Sequence, residues 1–209
     1  MAKRSAVVFG ATGLVGESLV KQLCEQEKYI SVTAIGRNPL TFKHEKLEQI
    51  IHSLDDLTES DIQFAHDVFC CLGTTMKKAG SKEQFEKVDF EYPMSIASLA
   101  KNQHVEHFIV ISAIGASEKA RAYYSRVKGK LETELAKLQF PRLSIVRPSL
   151  LTGIRSEFRL GEKAGENVLK VLNPLLIGGL KKFRSIEASQ VATAMIAIAL
   201  MEDKTAVRV

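Results

Sequence analysis

Short apolar runs alternate with amphipathic stretches along most of the chain. The runs Ser5–Phe9, Ser31–Ile35, Leu47–Ile51, Asp67–Cys71, His107–Ser112 and Leu143–Arg147 predict six strands. Helical spacing fills Leu14–Cys24, Lys82–Asn102, Arg121–Leu138 and Glu187–Met201. Pro93 should mark a start or a kink within the second of these. Strands apolar on both faces and separated by helices predict a doubly wound parallel sheet, an α/β fold. No repeat, low-complexity tract or linker divides the sequence, so residues 1–209 read as one domain. Its last portion, 149–209, is expected to drape over the carboxyl edge of the sheet on the substrate side. Within it the apolar segment Val168–Leu180 has three readings: a pocket wall, a dimer contact or part of the core.

Glycines 10, 13 and 16 fall directly after the first strand and open the first helix. Strand, glycine turn and helix in that order form a phosphate cradle. The turn must be tight, the backbone must approach a diphosphate closely, and the helix must sit close on its strand. Amides at the helix start then face the anion. The cradle is expected to use Gly10, Thr12, Gly13, Leu14, Val15 and Gly16. Its spacing is G-x-x-G-x-x-G, unlike the G-x-G-x-x-G of many dehydrogenases.

Composition adds mainly exclusions. Hydrophobic content of 45% and charged content of 25% are ordinary for a globular domain. The net charge of +5 is mild, and Lys77-Lys78 and Lys181-Lys182 with Arg184 lack interleaved aromatics. That argues against nucleic acid and leaves solvated loops or an anionic ligand. Three cysteines, two of them adjacent in an apolar run, suit buried thiols in a reducing compartment. No metal-type spacing occurs. The first strand follows Met1-Ala2-Lys3-Arg4 at once, and Val171–Leu180 and Val191–Met201 fall short of the ~20 residues a bilayer span needs. The expectation is a cytoplasmic protein with no membrane partner.

Chemistry gathers at the strand ends. Arg37 follows strand two, where an NAD-specific fold places an acidic residue on the ribose 2′-hydroxyl. A guanidinium there suits a 2′-phosphate and predicts NADP(H). Tyr124 and Lys128 have Y-x-x-x-K spacing, one helical turn apart on one face. The ammonium is expected to lower the phenol's pKa toward neutrality, and to be able to hold a ribose. Tyr123 is the competing phenol, and the lysine spacing selects Tyr124. Ser112 ends strand five, where a hydroxyl can bond a substrate carbonyl. Leu72, Gly73 and Thr74 follow strand four, and Pro148 ends strand six; their backbone should meet the cofactor. Cys70 and Cys71 read as core, and all five histidines as surface or structural.

Taken in order, Gly10–Gly16, Cys71–Thr75 with Lys78–Gly80, Tyr124–Gly129 and Val146–Pro148 resemble the atypical short-chain dehydrogenase/reductases of Tat-interacting-protein type. That resemblance implies an NADP(H)-binding Rossmann domain with Ser112, Tyr124 and Lys128 as a triad. Near the place where fuller members carry an asparagine, this chain offers Asp89. The joint presence of the glycine turn, Arg37 and the Y-x-x-x-K spacing predicts an NADP(H)-dependent oxidoreductase acting on a small carbonyl or alcohol. The second reading is a catalytically weak NADPH-binding regulator acting through a protein partner, and a homodimer is a further expectation, with Val168–Leu180 as its contact. A sugar-nucleotide epimerase is a weaker third reading, because its C-terminal portion would be thin.

Overall fold

The computed structural model describes residues 3–152, 184–201, 207 and 208. The expectation for Val168–Leu180 therefore lies outside the described residues. Strands β1 (Arg4–Phe9), β2 (Tyr29–Gly36), β3 (Leu47–Ile51), β4 (Asp67–Cys70), β5 (His107–Ile111) and β6 (Arg142–Val146) follow the six predicted runs, shifted by a residue or two at some ends. They pair in parallel in the order β3-β2-β1-β4-β5-β6. This is the Rossmann order, whose ligand crevice lies outside the carboxyl ends of the strands where the order reverses. A two-residue strand that the apolar pattern did not signal, Val207–Arg208, adds a seventh member beside β6.

Side chains leave each strand alternately, so the sheet builds two cores. Ala6 and Val8 of β1 join Leu19, Val20 and Leu23 of helix α1 (Leu14–Glu25). Val191, Ala192, Met195 and Ile196 of the closing helix, Ala188–Leu200, complete that face. Val7 and Phe9 face the other way, onto Ile96, Ala97 and Ala100 of Tyr92–Asn102 and onto Leu131 and Leu135 of Tyr123–Lys137. The closing helix thus covers a sheet face beside α1. This departs from the expected carboxyl-edge position for that helix alone, since residues 153–183 of the C-terminal portion lie outside the described residues. Besides Val207–Arg208, that portion also holds a two-residue pairing of Leu151–Thr152 with Ile186–Glu187.

The run 82–102 is not one α-helix. In chain order its elements follow a short helix α2 (Met76–Ala79), set in what reads as a polar loop. Helix α3 (Lys82–Glu86) passes into a π-helical turn, Lys87–Glu91, and then into α4 (Tyr92–Asn102). The Tyr92 N–H bonds the Lys87 carbonyl, five residues back. Proline supplies the reason: Pro93 has no N–H to give the carbonyl of Asp89, so the ladder changes register ahead of it. The wider turn sends Asp89 inward, fully buried. Helix α5 is Tyr123–Lys137, and the closing helix Ala188–Leu200 is α6.

A second buried polar group sits at the opposite, amino edge. Asp67 opens β4 and accepts from Arg4 Nε at 2.6 Å, Arg4 Nη2 at 2.8 Å and the buried Tyr29 hydroxyl at 2.7 Å. His107 lies behind it, with Nε2 2.8 Å from Ser144 Oγ, a structural histidine as expected.

Candidate active site

The glycine turn is built as its spacing predicts. Gly10 has φ +76°, and a Cβ there would lie 2.7 Å from the Cys71 carbonyl carbon, so only glycine fits between β1 and the β4 loop. Gly16 is tighter: a Cβ would lie 2.2 Å from the Gly10 carbonyl oxygen. Gly13 caps α1 with no side-chain hydrogen bond, leaving the first-turn amides to an external anion. Gly16→Ala must therefore push α1 off the turn. We expect a cost of about 1–3 kcal/mol in urea unfolding together with weaker dinucleotide binding by calorimetry.

A cleft of about 620 Å³, mouth included, opens beside this turn. Its walls bring together Gly10, Thr12, Arg37 and Leu72, all anticipated from the sequence. Asn38, Leu54, Gln49, Val88 and Tyr92 also line it and carry no sequence signal of their own. Gly13, Leu14, Val15 and Gly16 stand at the helix start next to it, while Gly73, Thr74 and Pro148 are not among its walls. The Thr74 N–H points elsewhere, to Asp89 Oδ2 at 2.8 Å. The Pro148 carbonyl accepts from Ile114 N at 3.0 Å, tying the loops after β5 and β6 together.

Ser112, Tyr124 and Lys128 gather around the end of β5 and the first turns of α5. Lys128 is 2% exposed; its Nζ is 2.8 Å from Asp89 Oδ1 and donates to the Ile111 carbonyl at 3.4 Å. Tyr124 packs on Phe85, with ring centroids 5.7 Å apart. Its rival Tyr123 has its hydroxyl 2.9 Å from Glu86 Oε1, which leaves Tyr124 the better-placed phenol. One expectation is reversed. Burial holds the Tyr124 pKa above its ordinary value, with Lys128 pulling it down and Asp89 pushing it up. The ammonium does not face the phenol alone, because a carboxylate stands against it.

Ser112 is also engaged. Its hydroxyl donates to Glu132 Oε1, and Arg147 grips the same carboxylate through Nε at 2.9 Å and through Nη2. That bond holds the Arg147 pKa above its usual range. A serine whose single proton goes to Glu132 offers a substrate its lone pairs. This departs from the expected donation to a carbonyl oxygen. Glu132 was missed, although Tyr124, Lys128 and Glu132 repeat every fourth residue along one helix face. Cys70 is buried, and burial pushes its thiol up to about 11, which fits a core role. Among the described residues no group of His, Cys, Asp or Glu could hold a metal ion.

A family described as NAD(P)H-binding matches residues 10–201, nearly the whole chain. The chain belongs to that family. Protein HTATIP2 of Rattus norvegicus is 39% identical to this chain over 168 residues, 78% of this chain and 69% of its own. Protein FMP52, mitochondrial, of Eremothecium gossypii is 33% identical across 98% of this chain and 92% of its own. Both agree with the atypical short-chain dehydrogenase/reductase type. Among solved structures, a UDP-N-acetylglucosamine 4-epimerase from Methanobrevibacter ruminantium has TM-score 0.74 at 18% identity, covering 98% of this chain and 75% of that one. A short chain dehydrogenase family protein from Francisella tularensis has TM-score 0.62 at 15% identity, covering 100% and 96%. At such identities these two speak for the Rossmann fold alone. No helix among the described residues is long and apolar enough to cross a membrane.

Proposed function

We propose that this NAD(P)H-binding protein is an NADP(H)-dependent oxidoreductase acting on a small carbonyl or alcohol. The observation that carries this reading is the meeting of two sites on one sheet edge. The glycine cradle with Arg37 lies at the ends of β1 and β2, and the Tyr124–Lys128 pair lies past the end of β5. The residues fit a dinucleotide: the Gly10–Gly16 turn and α1 amides would hold its diphosphate, and Arg37 its 2′-phosphate. When bound, that group supplies or takes the hydride. Tyr124 passes a proton at its hydroxyl to or from the substrate oxygen. Lys128 is held in place for a ribose hydroxyl, and the Ser112 lone pairs accept from the hydroxyl of an alcohol substrate.

Arg37 is exposed on the cleft wall, so its removal should leave the fold intact. Arg37→Ala is expected to weaken NADPH about 10–100-fold, the loss of a charge-assisted hydrogen bond, and to leave NADH nearly unchanged. Calorimetry with both dinucleotides measures it; equal losses for the two would refute the phosphate reading. A screen of aldehydes, ketones and quinones tests turnover. Tight NADPH binding without turnover of any of them would favour the regulator that reads its dinucleotide to a protein partner. Cytoplasmic residence goes with this reading, through thiols that stay unpaired. The FMP52 relatives are named mitochondrial, so cell fractionation decides between the two compartments.

A further inference from the structure

The 2′-phosphate of a phosphorylated dinucleotide sits on its adenosine half. With the diphosphate on the glycine turn and that phosphate at Arg37, the adenosine would run along the wall formed by Ile51, Leu54 and Tyr92. This wall comes from short segments, and one side chain pins them. His52 follows β3 and gives its backbone N–H to the Gly36 carbonyl at 3.1 Å, next to Arg37. Its ring reaches two acceptors: Nδ1 is 2.8 Å from the Ser53 carbonyl, and Nε2 is 3.2 Å from Asp61 Oδ1. Beyond it Ser53 caps the short turn Leu54–Asp56. Asp55 of that turn takes the Tyr92 hydroxyl at 3.1 Å and stands 2.9 Å from Lys87 Nζ. The wall is thus fastened at one end by His52, to the turn Glu59–Ile62, and at the other by Asp55, to Tyr92.

Both partners of the imidazole are acceptors only. A neutral ring has one N–H and can serve one of them, whereas the imidazolium serves both. Asp61 is steadied for this role: its Oδ2 accepts from the Thr58 N–H at 2.7 Å and from the Thr58 hydroxyl at 3.0 Å, while Oδ1 takes the ring. The charged groups acting on His52 are Asp61 from Glu59–Ile62 and Asp56 from Leu54–Asp56, both negative. The Ser53 carbonyl first, then these carboxylates, hold its pKa above the ordinary value, against the opposing effect of burial. On loss of the proton one ring nitrogen turns a lone pair on an oxygen, and either Ser53 or Asp61 lets go. We propose that His52 is a positioning residue of the dinucleotide site: its imidazolium holds the Leu54 wall in binding geometry, so affinity for the dinucleotide falls as the proton leaves. This rests on the dinucleotide lying in the cleft beside the glycine turn, and not on turnover. The sign follows from linkage, since the contribution is whole while the ring is protonated and is lost as pH rises through its raised pKa.

Calorimetric titration of the full chain with NADP⁺, from about pH 6 to about pH 9, spans the range in which such an imidazole loses its proton. The comparison is His52→Gln, which has no proton to lose. Titration of the 2′-phosphate is common to both proteins, so the ratio of their dissociation constants isolates His52. That ratio should be about 5-fold or more at the acid end and close to one at the alkaline end. Asp61→Asn keeps an oxygen for the ring but removes the charge, and should move the loss of affinity to lower pH. Should His52→Gln not fold, Asp61→Asn carries the test alone. A ratio that is the same at every pH overturns the proposal, and a large constant one would mark the ring as merely structural. So does an Asp61→Asn profile that coincides with wild type. Wild type that takes up no NADP⁺ would sink the cradle and this proposal together. The expected profile in a protein that turns over no carbonyl or alcohol would support His52 while sinking the oxidoreductase reading alone.

Discussion

Tyr124→Phe should lower NADPH-dependent carbonyl reduction by about 10²–10⁴-fold while leaving NADPH affinity close to wild type. The expectation follows from what the hydroxyl does and does not touch. Tyr124 is 38% exposed, its ring rests on Phe85, and its hydroxyl has no hydrogen-bond partner among the described residues. Removing that oxygen strands no protein group, so the fold should keep its melting temperature. The cleft beside the glycine turn does not include Tyr124 among its walls, so dinucleotide binding should survive. Steady-state kinetics and calorimetry on the same preparation separate the two effects. Tyr123→Phe is the control: its hydroxyl is bonded to Glu86, and its loss should leave the rate within a few-fold of wild type. Full activity in Tyr124→Phe would remove this phenol from the mechanism.

Asp67→Ala is expected to have the largest effect on stability, about 3–5 kcal/mol by urea unfolding, because it breaks a buried ion pair and leaves its partners unmet. Three donor contacts converge on this carboxylate: two from Arg4 and one from Tyr29, whose ring is fully buried. Arg4 would keep its 3.0 Å contact with Glu106, but the Tyr29 hydroxyl would lose its acceptor inside the core. The network lies at the amino edge of the sheet, across the strands from the cleft. Whatever fraction stays folded should bind dinucleotide as wild type does. A loss below about 1 kcal/mol would mean that Arg4 and Tyr29 find other partners.

The fold could be read from the chain because its signals are local. The central strands β1, β4, β5 and β6 are apolar runs largely buried on both faces, and the glycine turn encodes its own geometry in missing side chains. Arg37 and the Tyr124–Lys128 spacing could be read for the same reason, as each is a short motif at a strand end or on one helix. What escaped depended on contacts between segments distant in sequence. Asp89 meets Lys128 only because the helix changes ladder ahead of Pro93, and a ladder change leaves no mark in hydrophobic spacing. Glu132 reads as one more charged residue on α5 until Ser112 and Arg147 arrive from two other strand ends. The Tyr124 pKa went the other way from the expected one because burial and a carboxylate both oppose the lysine, and neither is a property of the Y-x-x-x-K spacing. The placement of α6 on a sheet face reflects its apolar residues meeting those of α1, which periodicity alone does not assign to a partner.

The wide turn at Lys87–Glu91 carries one residue more than a regular helix would need. Each residue advances an α-helix by about 100°, so the surplus decouples the azimuths of its two arms. Phe85 can face Tyr124 and Ile96 can face the sheet without sharing a single stripe, and the carboxylate between them is free to aim at neither. Loss of one residue from this stretch would bring the arms back into phase and swing that carboxylate out of reach of the lysine.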